Sequence, residues 1–169
     1  MTEELKNISS KMKKYLKLKY LIIIILAIQL YRPTQNKQTT PPDTNIFKVE
    51  QASEDVKDLI KTSCYDCHSN NTVYPWYSNI APVSWWLDHH VDEGKSELNF
   101  DAWGTYSLRR KNHKLKEIKE QLEKKEMPLE SYLWIHKDAA LTTDQVKTII
   151  DWARTLNPDI DKKEVRRKR

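Results

Sequence analysis

Cys64-Tyr65-Asp66-Cys67-His68 is a C-x-x-C-H pentapeptide whose residue types and spacing set up chemistry by themselves. Its two thiols stand one helical turn apart and can add to the two vinyl groups on one edge of a haem, which points to a covalent, c-type attachment of one haem per chain. The adjacent His68 then brings an imidazole under the iron, so the same five residues attach and ligate the cofactor. Cys64 and Cys67 are the only cysteines, so there is neither a disulfide framework nor a spare thiol.

Two other chemistries use parts of the pattern, beside a chance match. A redox dithiol expects a βαβ setting and gives His68 no role. A structural zinc site needs four ligands, so Cys64, Cys67 and His68 would require a fourth such as His89, His90 or His113. Export of this part of the chain favours haem, because attachment at C-x-x-C-H takes place outside the cytoplasm.

The candidates for a second iron ligand are Met127, His89, His90, His113 and His136. Met127 has the expected context: it follows an amphipathic helix, precedes a stiffening proline, and lies one loop before the last helix. Its competing role is a gap-filling core methionine. His89 and His90 are neighbours on one helix, so only one of them can face a core. His113 sits among Lys and Asn and reads as solvated, and His136 suits packing or propionate bonding as well as ligation.

The elements that must position these residues are helical. Gly is scarce while Lys, Glu, Leu and Ile are plentiful, which favours an all-α fold. Ser53 followed by Glu54 and Asp55 starts a helix that presents Val56, Leu59 and Ile60 on one face and delivers the chain into Cys64. A second helix is expected from Pro82 through Val91, with Gly94 as its carboxy-terminal cap. A third covers Leu108 to Lys125, with Leu108, Leu115, Ile118 and Leu122 on one stripe. The last opens on the capping box Thr142-x-x-Gln145, carries Val146, Ile149, Ile150 and Ala153 inward, and stops before Asn157-Pro158.

Upstream, Lys11, Lys13, Lys14, Lys17 and Lys19 precede the apolar run Tyr20–Tyr31, the pattern of an export segment. No A-x-A-like site follows, and no cysteine is placed to take a lipid, so the segment reads as an uncleaved anchor. The lysines then face the cytoplasm, and the rest lies on the periplasmic or extracytoplasmic side of the cytoplasmic membrane. The expected organisation is a signal or anchor segment at 1–32, a linker at 33–46, a haem-binding domain at 47–158 and a basic tail at 159–169. The fold class is therefore a small cytochrome-c-like helical domain behind an N-terminal membrane anchor helix.

The net charge of +5 sits at the ends, +4 in residues 1–20 and +3 in residues 157–169, which leaves −2 between them. Without a basic face on the folded part, nucleic acid is not expected as a partner. Six Trp and eight Tyr are enough aromatic surface to wall a flat apolar ring, although Trp76, Trp85, Trp86, Trp103, Trp134 and Trp152 serve equally as ordinary core residues.

Cys64-Tyr-Asp-Cys67-His68-Ser-Asn-Asn71 and Tyr74-Pro-Trp-Tyr-Ser-Asn-Ile-Ala-Pro-Val-Ser-Trp-Trp86 resemble the bacterial haem-binding domain family of cytochrome-c-like proteins. The likeness continues through Asn99-Phe100, Trp103, Glu126-Met-Pro-Leu-x-x-Tyr132 and Trp134-Ile-His136 to Trp152, about residues 50–157. It implies covalent haem through Cys64, Cys67 and His68, and it is compatible with Met127 as the distal ligand. The function expected is one-electron transfer to and from redox partner proteins, without a catalytic residue. The alternatives are a peroxidase-like or gas-binding protein with a vacant or labile sixth position, and a docking subunit whose basic tail contacts a partner or anionic lipid.

Overall fold

Short polar side chains begin three of the four long helices that follow residue 50. In the computed structural model, which describes residues 2–162, Ser53 Oγ accepts the Val56 amide at 3.3 Å and Thr142 and Gln145 form the reciprocal capping box at 3.3 and 2.8 Å. Ser107 Oγ does the same for the Arg110 amide. The helices are α1 (Thr2–Ile28), α2 (Ile46–Val49), α3 (Glu54–Ser63), α4 (Tyr65–His68), α5 (Val83–Glu97), α6 (Leu108–Glu123), α7 (Glu130–Leu133) and α8 (Thr143–Leu156). Short 3₁₀ segments lie at Trp76–Asn79, Phe100–Thr105 and Lys137–Ala139. Among the described residues there is no strand, only an isolated bridge between Lys37 and Asn71, so the all-α expectation holds.

The chain divides into two units, Met1–Gln35 with Tyr74–His89, and Asn36–Val73 with His90–Arg169. In the first, the Gln29 side chain donates to Ala81 O at 3.0 Å and accepts from Ala81 N at 2.9 Å. Trp85 Nε1 donates to Tyr31 O at 3.1 Å. Leu21 to Leu26 are each 48–63% exposed, and six consecutive helical residues cover every face of α1. No helix among the described residues is long and apolar enough to cross a membrane, so the spanning anchor finds no support. The reason lies in the sequence: Lys17 and Lys19 break into the apolar run and leave only Tyr20–Ile28 uncharged at the end of the helix.

The second unit holds the core. Val56 and Ile60 of α3, Leu115 and Leu122 of α6, and Ile149, Ile150 and Ala153 of α8 close on Ile46, Phe100 and Trp103. Burying this much aliphatic and aromatic surface is what fixes the short helices around it. Leu108 does not join its expected stripe; it is 74% exposed at the first position of α6. Trp103 and Trp152 are buried and send their indole N–H groups to Glu50 Oε1 and Gln51 O, both at 2.9 Å. Ile160 is buried in the same core, and the basic residues after Lys162 lie outside the described residues.

Residues 36–38 pair with the loop after His68: Gln38 N donates to Asn70 O and Thr72 N to Asn36 O. Asn36 Nδ2 adds bonds to Ser69 O and Thr72 Oγ1. On the other side of that loop, the buried Asp101 carboxylate accepts Asn70 N and Asn45 Nδ2, both at 2.7 Å. The loop's polar backbone groups are thus satisfied within the fold.

Candidate functional site

The pentapeptide forms α4, a single turn in which Cys67 N and His68 N both donate to Cys64 O. Its two middle residues hold it in place. Tyr65 stacks between Phe47 (centroids 5.8 Å apart, planes at 4°) and Phe100 (5.4 Å, 14°), and its hydroxyl accepts from Asn45 Nδ2 at 3.0 Å. Burial pushes its phenol up to about 12. Asp66 uses one carboxylate oxygen for the Val73 amide and the other for the Tyr132 hydroxyl.

The other contact comes from α5. Gly94 is not a cap: α5 continues to Glu97, and the face carrying Gly94 lies against the backbone of Cys67. A Cβ on Gly94 would stand 2.7 Å from Cys67 O, so only glycine admits this approach. One turn further on, Leu98 O lies 2.9 Å from His68 Nδ1. A carbonyl can only accept, so Nδ1 carries the proton and Nε2 keeps its lone pair for an electrophile or metal. Burial holds the imidazole below its ordinary pKa, although the Leu98 and Gly94 carbonyls favour the charged form, and the neutral ring is the form favoured at neutral pH.

Ile60, Leu98, Phe100, Ile118, Leu122 and Ile149 wall a cavity of about 310 Å³ that also receives Cys64, His68 and Met127. This lies at the lower end of the size range of ligand and cofactor sites. The structure therefore brings three of the four expected site residues to one cavity; the fourth, Cys67, lies against Gly94 and does not line it. Burial, its largest cause, raises the thiols to about 12 at Cys64 and about 11 at Cys67, so both are neutral at pH 7. None of His89, His90, His113 and His136 lines the cavity, and His113 instead pairs with Glu117 at 3.0 Å. The tryptophans do not wall it either: Trp103 and Trp152 are spent on the core, and Trp76 and Trp134 are 78% and 68% exposed. No group of three or more His, Cys, Asp or Glu among the described residues is placed to hold a metal ion, so the four-ligand zinc site lacks its scaffold.

Several cavity residues escaped sequence reasoning. Lys114, on the charged side of the α6 pattern, is only 8% exposed and pairs with Glu97 at 3.3 Å and Glu117 at 2.6 Å. Burial works against its charge, but Glu117 and Glu97 outweigh it and hold the ammonium protonated. The cavity is therefore apolar with one charged edge.

A family model described as a haem-binding domain matches residues 23–155. The chain belongs to the haem-binding domain family. No curated protein and no solved structure matches it. The match begins within α1 and ends within α8, so it takes in the pentapeptide, the Leu98 carbonyl and the Met127 loop. The residues present fit the group: an imidazole whose Nε2 lone pair is left available, two thiols on one turn, a thioether and an apolar wall suit a flat amphipathic macrocycle with iron at its centre.

Proposed function

We propose that this haem-binding domain holds one haem covalently through Cys64 and Cys67, ligates its iron through His68 Nε2 and the Met127 sulfur, and carries single electrons between partner proteins. The observation that carries this reading is the 2.9 Å contact from His68 Nδ1 to Leu98 O in a cavity shared with Met127. When bound, haem supplies an Fe(III)/Fe(II) couple, and a thioether ligand favours a relatively high potential. His68 is oriented and kept neutral by the fold, and Met127 offers a soft neutral donor. The apolar wall lowers the local dielectric, and a low-dielectric site favours the state of lower net charge. A peroxidase-like or gas-binding role would call on His89, His90 or His136 as a distal acid or base, and their absence from the cavity lining weighs against it.

Met127→Ala discriminates the two. In the reduced holoprotein, carbon monoxide should associate slowly, and the variant should accelerate it by about tenfold or more, since the open fraction of iron sets the rate. Fast binding already in the unaltered protein would favour the gas-binding reading.

The exposed apolar end of α1 behind its exposed lysines supports a membrane tether, with the haem domain on the extracytoplasmic side. Haem-stained protein is accordingly expected in the membrane fraction and to be open to protease added to spheroplasts. Stained protein that stays in the soluble cell fraction would remove the tether.

A further inference from the structure

Past Met127 the chain enters α7, and Tyr132 on that helix reaches back to the pentapeptide. Its hydroxyl donates to Asp66 Oδ2 at 2.7 Å, across 66 residues of sequence. Asp66 is fixed before the phenol arrives: its Oδ1 accepts Val73 N at 2.9 Å and its carbonyl accepts Thr72 Oγ1 at 2.6 Å. The Tyr132 ring is fixed as well. It stacks on His136 at 4.2 Å with planes 9° apart, and its carbonyl accepts His136 N at 3.1 Å. At the other end of the Met127 loop, Lys125 takes a positive φ of 58° and Glu126 N donates to Gln121 O, which ties the loop to the end of α6.

Met127 thus lies between two anchors, the end of α6 and the Tyr132 hydroxyl. A phenol donating to a carboxylate is a charge-assisted bond, about twice as strong as a neutral one. Burial and the Asp66 hydrogen bond both raise the Tyr132 pKa, so the phenol remains a donor across the physiological range.

We infer that Tyr132 is a positioning residue for the sixth iron ligand: by joining the Met127 loop to the pentapeptide that carries His68, its hydroxyl sets how firmly the Met127 sulfur is held at the cavity. The inference rests on the reading of Met127 as a ligand. It assigns the Asp66 position of C-x-x-C-H a task apart from haem attachment, since that carboxylate couples the two sides of the site.

Tyr132→Phe tests it, because the ring and its stack on His136 remain while the hydroxyl is lost. In the reduced holoprotein, carbon monoxide association should rise by roughly ten- to a hundredfold, the equilibrium weight of a hydrogen bond to a charged group. The absorption band of methionine-ligated ferric haem should weaken in parallel, and hydrogen exchange in residues 129–136 should quicken. Asp66→Asn, which keeps an oxygen for Tyr132 without the charge, should fall between Tyr132→Phe and the unaltered protein. In a Met127→Ala background, Tyr132→Phe should change nothing further. Fast binding in Met127→Ala with unaltered binding in Tyr132→Phe would overturn this inference and leave the Met127 reading standing. No change in either variant would overturn both, and acceleration by Tyr132→Phe that persists without Met127 would show that the hydroxyl acts elsewhere.

Discussion

Gly94→Val is expected to cost about 3 kcal/mol of unfolding free energy, at the upper end of what overpacking does. For a chain of this size that is about 10 °C in Tm. The new Cβ would meet Cys67 O at 2.7 Å and Cys67 Cβ at 3.0 Å, and a backbone carbonyl inside a helical turn cannot rotate away as a long side chain can. Relief requires α5 to retreat from the pentapeptide. That retreat carries Leu98 with it, since Gly94 O accepts Leu98 N at 2.9 Å and the two residues share a face. Haem incorporation should therefore fall together with stability, and the haem that does bind should show a disturbed His68 environment. In an exposed helix interior, losing a glycine is favourable by up to about 1 kcal/mol, so the sign of the effect alone reports the contact. A variant as stable as the unaltered protein, measured by thermal or urea unfolding, would mean that α5 does not need to touch the motif.

Gly94 also marks where sequence reading reaches its limit. A glycine after an amphipathic stretch satisfies the rule for a helix cap as well as the rule for a close backbone approach, and only the tertiary neighbour Cys67 separates the two. Helix starts were legible at Ser53 and Thr142, because a cap is a local bond between residues three apart. The anchor segment finds no support as a spanning helix: the apolar run is real, but the lysines that qualify it as an export segment also shorten it.

The site was legible where side chains carry the chemistry. Cys64, His68 and Met127 meet at one cavity, as residue type and helix order suggest. The Leu98 carbonyl was not legible, since a backbone acceptor leaves no mark on residue type. Nor was Lys114, which meets Glu97 from α5 beside Glu117 of its own helix. Tyr65 and Asp66 occupy positions that the motif leaves free, and their roles in the aromatic stack and the Tyr132 bond are properties of this fold alone.

The most direct test of the central claim is a denaturing gel stained for haem, run on the full chain expressed with haem-attachment machinery, beside Cys64→Ala combined with Cys67→Ala. Thioether bonds survive denaturation whereas ligation alone does not, so a stained band at the mass of the chain reports covalent attachment and nothing weaker. Each single variant should retain one bond and stain faintly; the double variant should lose the stain entirely while still appearing by protein stain. Equal staining of the double variant, or an unstained original chain that contains zinc, would contradict the account.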